Sequence, residues 1–206
     1  METMSVRVKI SVLLLMLGSF LAFIPGPDPG RFTVTPQEMA LWAESDTSAV
    51  SPDEVARWIN SEDATITLID LRSREEYENS RLPGALHLPL AELTDAGNRD
   101  LLSRKEGRNI FYSNGDEVSA AAVTLSAGMG YQKCYHMKGG MNGWVDTVMN
   151  STFGGERISA RENALFTQRF SARKLFQQYN SLPDSLRESL FETRRVEKAR
   201  LDGGCE

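Results

Sequence analysis

Two short runs, ITLID at Ile66–Asp70 and NIFYS at Asn109–Ser113, constrain this chain more than any other feature. Each is rich in β-branched or aromatic side chains and lacks the polar alternation of a strand with one wet face. A strand of that kind has to be covered on both sides, the condition of a parallel sheet held between helices. The intervening segments read as those helices. In SPDE, ahead of VARWI, Ser51 is placed to cap, proline takes the first helical position and Glu54 follows three residues on, which makes a capping box. SREEYENS reads as a short helix and VSAAAVTLSAGMG as a tightly packed small-residue helix closed by glycine. KCYHM supplies a third strand, after which Gly139–Gly140 turns the chain into MNGWVDTVM. LPGALHLPL reads as extended, because residues preceding Pro83 and Pro89 are pushed out of the helical region. Ser45–Val50 reads as polar and loose. Strands alternating with helices make the expected class α/β.

The flanks are of another character. Of 206 residues, 41% are hydrophobic and 25% charged, which suits one globular domain with attached material. Arg7 and Lys9 precede an uncharged apolar run, Ile10–Ile24, that PGPDPG stops. The run is shorter than the roughly 20 residues of a spanning helix, but extending it back to Val6 gives adequate length if the two cations reach the headgroups. Peptidase cleavage wants small residues separated by one position; Gly18, Ser19, Ala22, Gly26 and Gly30 never fall so. Residues 1–25 are therefore expected to be an uncleaved signal-anchor, with a cleaved signal peptide and a secreted or periplasmic product as the alternative. The cations stay inside, which places the rest on the periplasmic or exterior side of an inner membrane. Residues 26–50 read as a linker with a short helix from Thr35, and 51–150 as the α/β domain. Residues 151–206 read as a helical extension with a Gly-Gly-Cys tail. Within that extension Ala172, Leu175, Phe176 and Tyr179 share one face of a helix over 161–179, and a second, highly charged helix follows. Bracing the domain or reaching a protein partner is the expected role.

Charge and composition exclude several classes. The net charge of −5 without a long basic run argues against nucleic acid. Cys134, Cys205, His87 and His136 show no metal-ligand spacing, so neither a metal nor another cofactor is expected. Cys134 reads as a small apolar residue of a core strand, and His136 as a core or edge histidine.

LIDLRSREEYENSRLPGALHLPL and NIFYSNGDEVSAAAVTLSAGMGYQKCYHMKGGMNGW together resemble the rhodanese family over about Ser51 to Met149. The first carries an Asp-x-Arg step, a short acidic helix and a Pro-Gly-Ala turn. The second carries an active-site strand and loop, a helix, a Gly-Tyr, a strand, and a Gly-Gly before a tryptophan. The resemblance implies a central parallel sheet flanked by helices. It also implies a site where a strand-end cysteine takes a sulfane sulfur as a persulfide, inside a loop whose backbone N–H groups stabilise negative charge. Aligned on FYS, that cysteine position falls on Ser113, and the loop runs through Asn114, Gly115, Asp116, Glu117 and Val118. Asp70, Arg72, Gly139, Gly140 and Trp144 match family positions and are expected to be structural. A serine hydroxyl needs an adjacent base to become a nucleophile and cannot carry a persulfide; no histidine here follows a recognised triad pattern. Asp116 and Glu117 repel an anionic donor, and Val118 stands where active members often carry arginine. The sequence therefore points to a membrane-tethered, catalytically degenerate rhodanese-like module that binds or regulates a partner in extracytoplasmic sulfur or redox metabolism. Cys205, after two glycines in a mobile tail, supplies the alternative: a sulfurtransferase or thiol-redox enzyme with a displaced sulfur carrier.

Overall fold

The computed structural model describes residues 11, 15–16, 48–103, 107–152, 159–187, 189–190 and 193. Two compact units divide the chain, Met1–Arg31 and Phe32–Glu206. In the first, Ser11, Leu15 and Met16 are helical, with Leu15 and Met16 exposed. Among the described residues no helix is long and apolar enough to cross a membrane. Most of the expected signal-anchor, the Thr35 helix and Cys205 lie outside the described residues.

In the second unit the expected α/β order is present. Strand β1 (Ala49–Val50) leads into helix α1 (Pro52–Ser61), then β2 (Ile66–Asp70), α2 (Arg74–Asn79) and β3 (Leu86–His87). After a short α3 (Arg99–Leu102) come β4 (Arg108–Tyr112), α4 (Asp116–Gly128), β5 (Cys134–Met137) and α5 (Gly140–Trp144). A π-helical turn, Val145–Met149, continues α5, and α6 spans Ala160–Asn180. All strand pairs are parallel and the order across the sheet is β1-β5-β4-β2-β3.

The pleat divides the core as the unbroken apolar runs require. Leu68, Ile110 and Tyr112 face a cluster with Val55, Trp58, Ile59, Met141, Trp144, Ala172 and Leu175. Ile69 and Phe111 face the other way, onto Leu88, Leu93, Leu102, Ala122 and Val123. Helix α1 begins with the expected capping box: the Ser51 hydroxyl accepts from Glu54 N, and Glu54 Oε2 accepts from Ser51 N. Ser73 and Glu76 build a second such box at α2, and Ser159 with Glu162 a third at α6.

Three expectations shift. Ser45–Val50 is not wholly loose: Ala49 and Val50 pair with His136 and Met137 at the sheet edge, a bond pattern that two residues cannot announce by periodicity. Ser113 falls just beyond β4 rather than inside it. Helix α4 starts at Asp116 instead of Val118, which draws both acids into its first turn, where they complement the helix dipole.

The C-terminal extension braces the domain. Ala172, Leu175 and Tyr179 are buried, and Phe176 packs beside Trp144 with ring centroids 6.1 Å apart. Arg169 grips Asp53 through two bonds of 2.6 Å. Arg187 donates to Glu78 O, and Asn180 exchanges two bonds with the Arg81 backbone. Residues 184–187, 189–190 and 193 are helical, in line with the second charged helix.

Candidate functional site at the carboxyl ends of the strands

Strands β2 and β4 end side by side, with Asp70 in register with Tyr112. In an open parallel sheet this edge is where loops converge on a ligand. Asp70 is fully buried and accepts from three donors of Arg72: its backbone N at 2.9 Å, Nε at 3.0 and 3.2 Å and Nη2 at 2.7 Å. Arg72 Nη2 also donates to Ser80 O at 2.6 Å. The pair tethers α2 to the strand end. Tyr112 lies beneath the Arg72 guanidinium, and burial together with the Asp70 charge pushes its phenol well above its ordinary value.

From Tyr112 the chain enters the loop Ser113–Val118, which with Leu71 and Arg72 lines a cavity of about 290 Å³. Ser113 is 6% exposed, and its hydroxyl donates to Gly115 O at 2.7 Å. The Ser119 hydroxyl donates to the same carbonyl at 3.2 Å. A carbonyl, the negative end of the peptide dipole, thus lies against the Ser113 side chain. An anion there would meet repulsion at short range.

The loop is held by partners distant in sequence. Met141 N donates to Ser113 O at 2.7 Å, and Asn142 N to Asn114 O at 3.1 Å. Asp116 Oδ1 accepts from Gly139 N at 2.6 Å and lies 3.6 Å from His136 Nδ1. Gly140 has φ +54°, and a Cβ there would run into Ser113 O, so only glycine allows the turn to seat the loop. Asn114 Nδ2 donates to Glu76 Oε1 at 2.6 Å. That bond, with those from Ser73, holds the Glu76 carboxyl down at about 2. The two histidines do not serve Ser113: His87 Nε2 sits 2.9 Å from Arg72 O, and His136 faces Asp116. The contacts to Glu76, Gly139 and His136 are what sequence spacing missed. Of these, Glu76 carries a local signal that could have been read, the Ser73-x-x-Glu76 spacing of a capping box. Trp144, matched by its place after Gly-Gly, is fully buried in the core and away from the loop's lining. Cys134 is buried on β5, and burial pushes its thiol up, which suits an unreactive core residue.

A model of the family described as "Rhodanese-like domain" matches residues 51–147. Those residues form a rhodanese-like domain. The candidate sulfur carrier protein YrkF of Bacillus subtilis is 30% identical over 83 residues, which are 40% of this chain and 43% of that protein. The HTH-type transcriptional regulator Rv0324 of Mycobacterium tuberculosis is 40% identical over 47 residues, 20% of this chain and 21% of that one. The chain thus spans less than half the length of either curated relative. Among solved structures, the human single-domain sulfurtransferase TSTD1 is 24% identical, covers 52% of this chain and 99% of its own, and superposes with a TM-score of 0.41. The matched residues run from α1 into the π-turn, while β1 and α6 flank them and complete the sheet edge and core.

Proposed function

We propose that this chain is a membrane-tethered, catalytically degenerate rhodanese-like protein whose Ser113–Val118 loop recognises a protein partner in extracytoplasmic sulfur or redox metabolism. The observation that carries this reading is the Ser113 hydroxyl closed onto Gly115 O. A rhodanese cysteine attacks a sulfane sulfur, forms an S–S bond and expels sulfite or a thiol. Oxygen at this position forms no persulfide. Its proton is engaged by a carbonyl rather than by a base, and among the described residues that line the cavity no unpaired cation awaits an anionic donor. Around the cavity stand the carboxylates of Asp116 and Glu117, and the one lining cation among the described residues, Arg72, is already neutralised by Asp70. Such a lining favours a neutral or cationic group of a partner over thiosulfate or phosphate. The relation to a candidate sulfur carrier supports placing that partner in sulfur traffic. The uncharged run Ile10–Ile24 supports the tether.

The test uses the full chain, incubated with thiosulfate or polysulfide and read by intact mass and peptide mapping. The expected result is no gain of a sulfur atom in the parent protein and a cyanide-labile gain at the loop in Ser113→Cys. A cyanide-labile sulfur on Cys205 of the parent would overturn this reading in favour of a sulfurtransferase with a displaced carrier.

A further inference from the structure

Helix α2 holds one side of the loop, yet little holds α2 from within. It is six residues long, well short of a helix that stands alone in water, and none of its residues is buried. Its place is therefore set by polar tethers at its two ends. At the first turn Glu76 Oε1 accepts from Asn114 of the loop at 2.6 Å, while Oε2 closes the capping box with Ser73.

The other end needs donors, because the last carbonyls of a helix have no partner inside it. Arginines supply them, as suits the negative end of the helix dipole. Arg187 Nη1 donates to Glu78 O at 3.0 Å and Arg81 Nη1 to Tyr77 O at 3.3 Å, and Arg72 Nη2 reaches Ser80 O just beyond the helix. Arg81 in turn depends on the C-terminal extension. Asn180 Oδ1 accepts from Arg81 N and Asn180 Nδ2 donates to Arg81 O, both at 3.0 Å, and Asp184 Oδ1 accepts from Arg81 Nη1 at 2.9 Å. Arg187 is buried and fixed within the extension, its Nε donating to Leu182 O and its Nη2 to Asn180 O. Asn180 and Arg187 both lie outside the family-matched residues 51–147, and they finish α2 from 99 and 109 residues along the chain.

We propose that Asn180 and Arg187 are positioning residues for the Ser113–Val118 loop: they fix the C-terminal end of α2, and α2 fixes Asn114 through Glu76. The C-terminal extension then governs the order of the loop, and its bearing on a partner rests on the reading of that loop as the recognition surface. A short element pinned at both ends is a physical route between two sites. Release of residues 180–187 lets α2 shift or fray, and Asn114 loses its acceptor. Arg169 ties the same extension to Asp53 of α1 instead, which makes it the control.

The experiment measures amide exchange in the full chain with no partner or sulfur donor present, so its outcome stands apart from the thiosulfate test of the loop's role. Tyr77 N and Ser80 N report α2, and Asn142 N, which donates to Asn114 O, reports the loop. Arg187→Met keeps the length of the side chain and removes its donors; exchange at these positions should quicken about tenfold, and Asn180→Ala should act in the same direction. Arg169→Met should change them less than about twofold. In an Asn114→Ala chain, Arg187→Met should still quicken α2 and add nothing at Asn142. The Glu76 carboxyl, followed by NMR titration, should rise in Arg187→Met from about 2 part of the way to 4.5. Exchange at Asn142 that neither Arg187→Met nor Asn180→Ala alters would overturn the proposal. Equal quickening by Arg169→Met would overturn it as well, by making the grip on α2 one brace among others. Further quickening at Asn142 when Arg187→Met joins Asn114→Ala would overturn the route through Glu76 and with it the proposal.

Discussion

Two neighbouring strand ends of the same sheet handle polarity in opposite ways. At the end of β2, a buried carboxylate and a buried guanidinium two residues apart satisfy each other and one nearby carbonyl. At the end of β4, the loop Ser113–Val118 satisfies little by itself. Its carbonyls are taken by Met141 N and Asn142 N, its Asn114 by Glu76 and its Asp116 by Gly139 N. The first is a closed local device, and the second is a surface assembled from α2, β4 and the Gly139–Gly140 turn. The difference teaches where function can reside: a self-neutralised ion pair has nothing left to offer a ligand, whereas an assembled loop keeps exposed Asp116, Glu117 and Val118 for one.

The largest test of this contrast is Asp70→Ala. It leaves Arg72 buried without its counter-charge and should cost about 3–5 kcal/mol in urea unfolding. Asp70→Ala with Arg72→Met should recover part of that loss, since it removes the uncompensated charge but also gives up the bond to Ser80 O. A loss under about 1 kcal/mol would put the pair in the class of surface ion pairs and erase the distinction.

Next comes Gly140→Ala. The added methyl meets Ser113 O at a positive φ, and the expected cost is about 2 kcal/mol, with the loop displaced. Amide exchange at Ser113–Val118 should quicken in this variant while exchange in β2 stays slow. Uniform exchange across both strand ends would show that they move as one unit.

Ser113→Ala removes the bond to Gly115 O and should cost about 1 kcal/mol. Chemical denaturation checks the value, and a change near zero would mean that the hydroxyl does not hold the loop closed.

The smallest effect is titration of Glu76. Its folded value, about 2, lies below the ordinary carboxyl value of 4.5, so its contribution is present above the unfolded value and is lost as pH falls from about 4.5 towards 2. Solvent at this half-exposed group screens the interaction to roughly 0.5 kcal/mol. Asn114→Ala should flatten that part of the stability-versus-pH curve. An unchanged curve would detach α2 from the loop.

How much of this was legible depends on how far apart the interacting residues stand in the chain. Ile66–Asp70, the Ser51–Glu54 capping box and the 161–179 face were readable because period and spacing are local. The pairing of Arg72 with a neighbouring carboxylate was readable for the same reason. Residues Ala49–Val50 were not, because a two-residue strand exists only through its pairing with β5. The start of α4 was misplaced by two residues because its N-cap, Gly115, bonds through no side chain and leaves no signature.

The sequence by itself determined the α/β class, the sheet buried on both faces, the resemblance to rhodaneses and the presence of serine at the loop's turning point. Each of these rests on residue type and short-range order. Only the tertiary structure decided the direction of the Ser113 hydroxyl, the carbonyl that faces it and the grip of Glu76, Gly139 and Met141 on the loop. The grip depends on hydrogen bonds between groups tens of residues apart, and it sets the loop in which the Ser113 hydroxyl meets Gly115 O two residues on. Such bonds exist only once the sheet has brought the strand ends together.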